Sequence, residues 1–501
     1  MCGYAGKGLS RDGFSRKNVY QFLFRTSVTT GGFMSTFYCP ELLYLDGTFV
    51  TDRGLLVDDA GRVERVIAKR DGGSFTTVDL PRKALLPGFV NSHSHSFQRL
   101  IRGKSESRIM SGRDFWSWRG TMYHAAAQLT PEEVYDVARM AFLEMLLAGT
   151  TTVGEFHYLH TDAAGRAYDD PNLLSKQVIA AAQSVGLRIV LLRTAYLRSG
   201  FGLNTDPGQT RFFESTKEFL GNMSELVAQY PVGSNEVSFG VAPHSIRAVP
   251  LDDLLEIADW TRTKELPLHM HVAEQVAENE ACLREYGCTP VELLSANHIL
   301  SSRFTAVHSI HVRPDEVEEL ARSGSTICSC PTTERNLGDG ILAADQVMAA
   351  GIRVALGSDS QAQIAPLEDA RELDYHLRLR SQQRAILDMI DQRTLAERLF
   401  SCATSNGAES LSVPAGAFVA GALADAVTVD LNDLSIAGHS HEDLLPILVF
   451  SLSRSAIRDV IVNGRFIVRS QVHPSHDEIV ARYQEVHRRV WGGAHVARNA
   501  S

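Results

Sequence analysis

Apolar residues along this chain fall into two textures. From Phe37 they come in short alternating runs broken by turn residues, ELLYLDGTFV, GLLVDDAGRVERVIA and SFTTVDLPRKALLPGF, with DG and DAG at the bends. That is the pattern of half-buried strands joined by tight turns. It returns near the C-terminus in DAVTVDL and AIRDVIVNGRFIVRS, where NG separates two apolar strands. Between these ends lie apolar strand candidates: ALLPGFV, TTVGEF, RIVLLRTA, VSFGVA, LPLHMHV, FTAVHS, STICSC and RVALGS. Amphipathic stretches such as PEEVYDVARMAFLEMLLAG, DDLLEIADWTRTK, VAENEACLREYG, PDEVEELARSG and AADQVMAAG lie among them, several closed by a glycine past the last turn.

Eight buried strands alternating with helices predict an α/β fold, a (β/α)8 TIM-type barrel, with a small β-sandwich domain formed by the N- and C-terminal segments. The expected division is a basic, disordered extension over 1–35, a first β segment over 36–88, the barrel over 89–410, a second β segment over 411–475, and a C-terminal helix and tail over 476–501. The first 33 residues carry five basic side chains against Asp12 alone. A targeting segment, a flexible tail and translation from upstream of a start at Met34 all fit that composition, and a poorly ordered extension is the expectation.

Such barrels build their sites at the C-terminal ends of the strands. His93, His95 and Gln98 follow the first run; Glu155, His157 and Tyr158 the second; His244 and Arg247 the fourth. His269, His271 and Glu274 follow the fifth, His308 and His311 the sixth, and Asp359 the eighth. Ligand-type residues thus gather at one end of the candidate strands. Side chains two apart on a strand share a face, so His93 and His95 can reach one ion. His-x-His alone is a weak signal, since exposed loop histidines are common. Joined by His271 and Asp359 it becomes a credible Zn²⁺ set with room for water, whose pKa such an ion lowers to about 7. Glu274, three residues past His271, can then serve as base, with His308 and Asp359 as the other proton carriers.

The formal net charge of −10 argues against general affinity for nucleic acid or anionic membrane. No uncharged apolar run approaches the roughly 18 residues of a membrane span. Seven cysteines with no disulfide or zinc-ribbon spacing fit a reducing, cytoplasmic compartment. Cys328 and Cys330, two apart, are expected to be small buried thiols.

PGFVNSHSHSFQR, DFWSWRGTMY, VGEFHYLH, VAPHSIRAV, HMHVAEQ, CPTTERNLGDG and GSDS together resemble the amidohydrolase superfamily, and within it the N-formimidoyl-L-glutamate deiminases, from about residue 37 to 490. HxH and GSDS are shared across the superfamily; DFWSWR, EFHYLH and NLGDG are more specific. The resemblance implies one zinc ion per chain on His93, His95, His271 and Asp359, with Glu274 as general base and His308 and Asp359 assisting proton transfer. It places substrate contacts on Gln98, Arg119, Tyr158, His244 and Arg247. The implied reaction is hydrolysis of N-formimidoyl-L-glutamate to N-formyl-L-glutamate and ammonia, with metal-activated hydroxide attacking the formimidoyl carbon. The residue types suit it, because arginine's planar fork grips a carboxylate through paired hydrogen bonds, and Gln98 and Tyr158 offer neutral bonds to an amidine.

The family pattern usually continues GSDS with histidine, whereas Gln361 stands there in this chain. Glutamine carries no proton at neutral pH, so substrate identity is less tightly implied than hydrolysis. The alternatives are a deaminase acting on another amidine or on a purine-like amino-heterocycle, and a non-catalytic barrel scaffold. The expected partners are a small molecule bearing carboxylates and a second copy of the chain in a homodimer.

Overall fold

A computed structural model describes residues 35–106, 115–203, 206–231, 233–388 and 390–492. The basic N-terminal segment and the last nine residues lie outside the described residues.

The chain opens with strands β1 (Thr36–Leu45), β2 (Thr48–Val50), β3 (Arg53–Val57), β4 (Val63–Ala68) and β5 (Thr76–Pro87). Eight barrel strands follow: β6 (Phe89–Ser94), β7 (Thr150–His157), β8 (Arg188–Ala195), β9 (Val237–Pro243), β10 (Leu268–Val272), β11 (Phe304–His308), β12 (Thr326–Ser329) and β13 (Arg353–Leu356). β14 (Ala426–Asp430), β15 (Ile457–Val462) and β16 (Arg465–Val468) return to the first sheet before a last helix, His476–Trp491.

Seven of the eight runs are barrel strands; the first, ALLPGFV, is divided, its ALLP ending β5 in the other sheet and only FV opening β6. Neighbours pair in parallel from β6 through β13, and their side chains are almost all buried. Strands covered on both faces read as near-continuous apolar runs, which is why these stood out. The ring is closed by residues of the proposed site itself. Ser94 bridges Asp359, with the His95 N–H donating to the Asp359 carbonyl and the Asp359 N–H to the His93 carbonyl, each at 3.0 Å. At the opposite end the helix Ser405–Ser410 packs under β6, and His269, two positions before His271, bonds the Ser410 carbonyl at 2.8 Å.

Both ends of the chain form one mixed sheet in the order β16-β15-β14-β5-β1-β3-β4, with β2 on β1. Its hairpins turn where the sequence signalled. Asp46–Gly47 and Asn463–Gly464 all have positive φ, the conformation a two-residue loop matched to strand twist requires. The sheet curls until Arg62 bridges Leu423, closing over its own apolar core of Tyr38, Leu43, Leu55, Leu80, Leu85 and Ile461. A buried ion pair, Arg188 to Asp425, fixes this layer to the barrel. The final helix lies on the helix Pro131–Leu147, where Arg139 grips Glu478 with two bonds of 2.9 and 2.7 Å. Among the described residues no helix is long and apolar enough to cross a membrane.

Candidate active site

His93 and His95 project from the end of β6, His271 from β10, and Asp359 from the turn after β13. Their side-chain ligand atoms all lie within 4.8 Å of one another, and all four residues are buried. His93 Nε2 is 3.2 Å from His95 Nε2 and 3.1 Å from His271 Nε2. Asp359 Oδ1 stands 3.5 and 3.2 Å from the Nε2 atoms of His93 and His95. The far side of two rings is already spoken for. His95 Nδ1 donates to the Phe156 carbonyl at 2.8 Å, and His271 Nδ1 to the His244 carbonyl at 2.9 Å. A proton fixed on Nδ1 leaves the Nε2 lone pair facing inward, the arrangement found behind metal-ligating histidines.

Burial, with charges from neighbouring histidines, holds His271 well below its ordinary pKa, and burial brings His93 to about 3, so both rings are neutral. Burial alone would raise Asp359, but its contacts with the His93 and His95 rings hold it well below the carboxylate range. Three imidazoles and one carboxylate converging in a buried space fit a borderline-soft divalent cation.

The backbone is shaped to allow this. Asp359 and His308 take φ of +45° and +70°, a strained conformation for non-glycine residues that clusters at functional sites. A Cβ on Gly357 would sit 2.7 Å from His93 Cβ and 2.9 Å from Cys330 Sγ, so only glycine lets β13 lie this close to β6.

Glu274, just past β10, faces the cluster, with Oε1 3.8 Å from His308 Nε2, which is also 3.8 Å from Asp359 Oδ2. Burial raises the Glu274 carboxyl, and Asp359 adds to that, while His308 and the two arginines pull the other way. Burial disfavours a charged His308, yet Glu274, Glu334 and Asp359 outweigh it and hold the ring well above its ordinary value. A base with a raised pKa must be ionised to work. The acid limb of kcat/KM should therefore lie above the ordinary carboxylate value of about 4.3, activity being lost as pH falls through it. A pH–rate profile flat down to that value would contradict the placement.

Sequence reasoning passed over Glu334. It is buried beside the end of β12, accepts from the Cys330 N–H at 2.7 Å and the Ser329 hydroxyl, and stands 3.3 Å from His308 Nδ1, turning Nε2 toward Glu274 and Asp359. Glu278 and Asp339 form the surroundings of Glu274. The Glu274 N–H donates to Glu278 at 3.2 Å, and Asp339 binds the side chain of Gln275.

One pocket opens onto this cluster, and its wall includes Gln98, Arg119, Tyr158, His244 and Arg247. The Gln98 amide donates to the Tyr158 hydroxyl at 2.7 Å. Arg119 lies on the helix Phe115–Gln128 and bonds the hydroxyl of Tyr123, one turn on. Both arginines are largely buried, 7% and 9% exposed. Trp118, Met122, Tyr123, Tyr196, Phe212 and Leu337 also line the pocket and were not anticipated. Trp118, Arg119, Met122 and Tyr123 share one helical face, a spacing readable in WRGTMY; Tyr196, at the end of β8, offered only its position. His157 and Glu155 do not line the pocket. Glu155 instead accepts from the Ser94 hydroxyl and the Ser96 N–H, both at 2.6 Å. Gln361 is fully buried outside the pocket wall, its amide donating to Ser94 Oγ at 2.9 Å and to the Asp359 carbonyl at 3.0 Å, where it braces the closing seam.

A model of the amidohydrolase family matches residues 84–467. The chain belongs to the amidohydrolase family. This amidohydrolase is 36% identical over 404 residues to the formimidoylglutamate deiminase of Pseudomonas aeruginosa, an alignment covering 80% of this chain and 88% of the relative. It is 28% identical to the 8-oxoguanine deaminase of the same species, over 80% of this chain and 87% of that one. A solved amidohydrolase from Brucella melitensis superposes with a TM-score of 0.82 at 30% identity, covering 92% of this chain and all of that one. An adenosine deaminase from Xanthomonas campestris, solved with bound zinc, shares the fold at a TM-score of 0.77 and 22% identity, over 91% and 98% of the two chains.

Proposed function

We propose that this amidohydrolase is a zinc-dependent deiminase that hydrolyses N-formimidoyl-L-glutamate to N-formyl-L-glutamate and ammonia. The observation that carries the reading is the position of Arg119 and Arg247, two buried guanidinium groups in the wall of the same pocket that holds Glu274 and the four-donor cluster. The relative that is 36% identical and bears that activity supports it.

His93, His95, His271 and Asp359 would hold one zinc ion, which supplies an acidified water, of pKa about 7, and polarises the group under attack. Arg119 and Arg247 bind the two glutamyl carboxylates and so fix the substrate's length against the cluster. Gln98 and Tyr158, joined to each other, orient the amidine. Glu274 takes one proton from the attacking water and passes it to the imino nitrogen; the water's second proton reaches the same nitrogen by way of Asp359 as the formyl carbonyl forms, so that the C–N bond breaks and ammonia leaves. His308, held by Glu334, keeps a proton beside Asp359 and Glu274 and steadies the charge that develops there.

A second reading, deamination of a flat amino-heterocycle, draws on the aromatic side chains Tyr158, Tyr196 and Phe212 in the wall and on the 8-oxoguanine deaminase relative. Ammonia release from the purified protein, offered N-formimidoyl-L-glutamate beside other amidines and aminopurines, separates the two. Turnover of an aminopurine above the glutamyl substrate would overturn the proposal. Replacing either arginine with methionine should lower kcat/KM for the glutamyl substrate by about 10- to 100-fold, since a charge-assisted bond is worth roughly 1.5–3 kcal/mol. The loss should shrink on amidines lacking the matching carboxylate; equal losses on all substrates would mean the arginines only support the pocket wall.

A further inference from the structure

The seam that closes the barrel carries a second set of donors. Asp359 points Oδ1 at His93 and His95, and its Oδ2 lies 3.8 Å from His308 Nε2. Cys330, fully buried just past β12, joins them: ligand atoms of His308, Cys330 and Asp359 all lie within 4.8 Å of one another. Glu334 engages the His308 ring at Nδ1, which leaves Nε2 as the nitrogen turned to Asp359. Cys330 is the buried thiol its sequence context suggested, packed with Val307, Cys328 and Ala355. Its sulfur stands beside a nitrogen and an oxygen that both line the active-site pocket.

We infer that His308, Cys330 and Asp359 form a second, inhibitory metal site that shares Asp359 with the four-donor cluster and takes a thiophilic divalent ion, cadmium or zinc in excess. The donor chemistry selects the ion, because thiolate favours soft metals and excludes magnesium and calcium. A carboxylate with its oxygens turned to two places can bridge a pair of ions, which in two-metal sites sit about 3.5–4 Å apart. The second ion has three donors against the first ion's four and is repelled by it at that spacing, so the site fills only at metal concentrations beyond those that load the first cluster. Inhibition follows from the atoms consumed. The ion takes His308 Nε2 and Asp359 Oδ2, the groups that carry protons beside Glu274. The inference rests on reading the four-donor cluster as the first metal site.

The test is a titration of metal-free protein with Co²⁺ and with Cd²⁺, read by bound metal per chain and by thiolate-to-metal charge-transfer absorption. The expected result is a first equivalent without the sulfur band and a second with it. Cys330→Ala, and Cys330→Ser as the size-conserving check, should lose the second equivalent and the band, while Cys328→Ala keeps both. Excess Cd²⁺ should inhibit ammonia release, and Cys330→Ala should raise the half-inhibiting concentration by at least about tenfold, the loss that removing even an outer partner of a metal brings. One equivalent at any excess, without the band, overturns the inference and leaves the four-donor reading intact. One equivalent with the band overturns the four-donor reading and, with it, the inference of a second site. A band that survives in both Cys330 variants overturns the assignment of the sulfur.

Discussion

Replacing Glu274 with glutamine is expected to lower kcat by about 10²- to 10⁴-fold, the usual contribution of a general base, with metal content unchanged. The amide keeps the size of the side chain and lies outside the four-donor cluster, so the ion's ligands are untouched. The Glu274 N–H that donates to Glu278 is also retained, so the loop after β10 keeps its anchor. What disappears is the basic oxygen beside His308, 3.8 Å away, and with it the acceptor for a proton from water. Steady-state ammonia release by the variant, paired with metal analysis, gives the answer. Near-normal turnover with the metal in place would reduce Glu274 to a structural acid.

Much of this was legible in the sequence, for reasons particular elements make plain. The barrel strands announced themselves because both faces of most are buried, so runs such as VSFGVA and FTAVHS carry no Asp, Glu, Lys or Arg. The hairpins did so because DG and NG supply positive φ where the strands reverse. The donor cluster was legible because strand periodicity puts His93 and His95 on one face and barrel topology brings β10 and β13 to the same end.

Other features depend on chain segments that sequence spacing cannot join. Nothing in CPTTERN singles out Glu334; only the fold lays its carboxylate against His308. Cys330 reads as a packing thiol until β13 approaches closely enough to put Asp359 beside it. Gln361 drew attention as a departure from the family pattern, yet its amide faces Ser94 and the Asp359 carbonyl, away from the substrate pocket. The change at that position therefore bears on how the closing seam is held, and the case for a glutamyl substrate rests on Arg119 and Arg247.

The largest expected effect on stability lies at the other end of the barrel. Arg188 begins β8, and its guanidinium reaches Asp425, just before β14, with Nη2 3.1 Å from Oδ1. Its remaining donors go to the Asn235 carbonyl at 2.7 Å, to Thr152 Oγ1 at 3.1 Å and to Asn463. Both charged side chains are almost wholly buried, at 2% and 0% exposure. Arg188→Met should cost about 3–5 kcal/mol in unfolding free energy, because it strands the Asp425 carboxylate in the interior. The double variant Arg188→Met/Asp425→Leu should recover most of that loss, since replacing a buried pair by apolar groups is often neutral. Denaturant unfolding of the two variants measures the difference. If both are destabilised alike, the pair acts through shape and hydrogen bonds to Asn235 and Asn463 and not through charge. Folded molecules of either variant should keep their kcat, because Arg188 sits at the N-terminal end of its strand and the catalytic groups at the C-terminal ends. A large drop in kcat with the fold intact would mean that the sheet's grip on the barrel reaches the donor cluster.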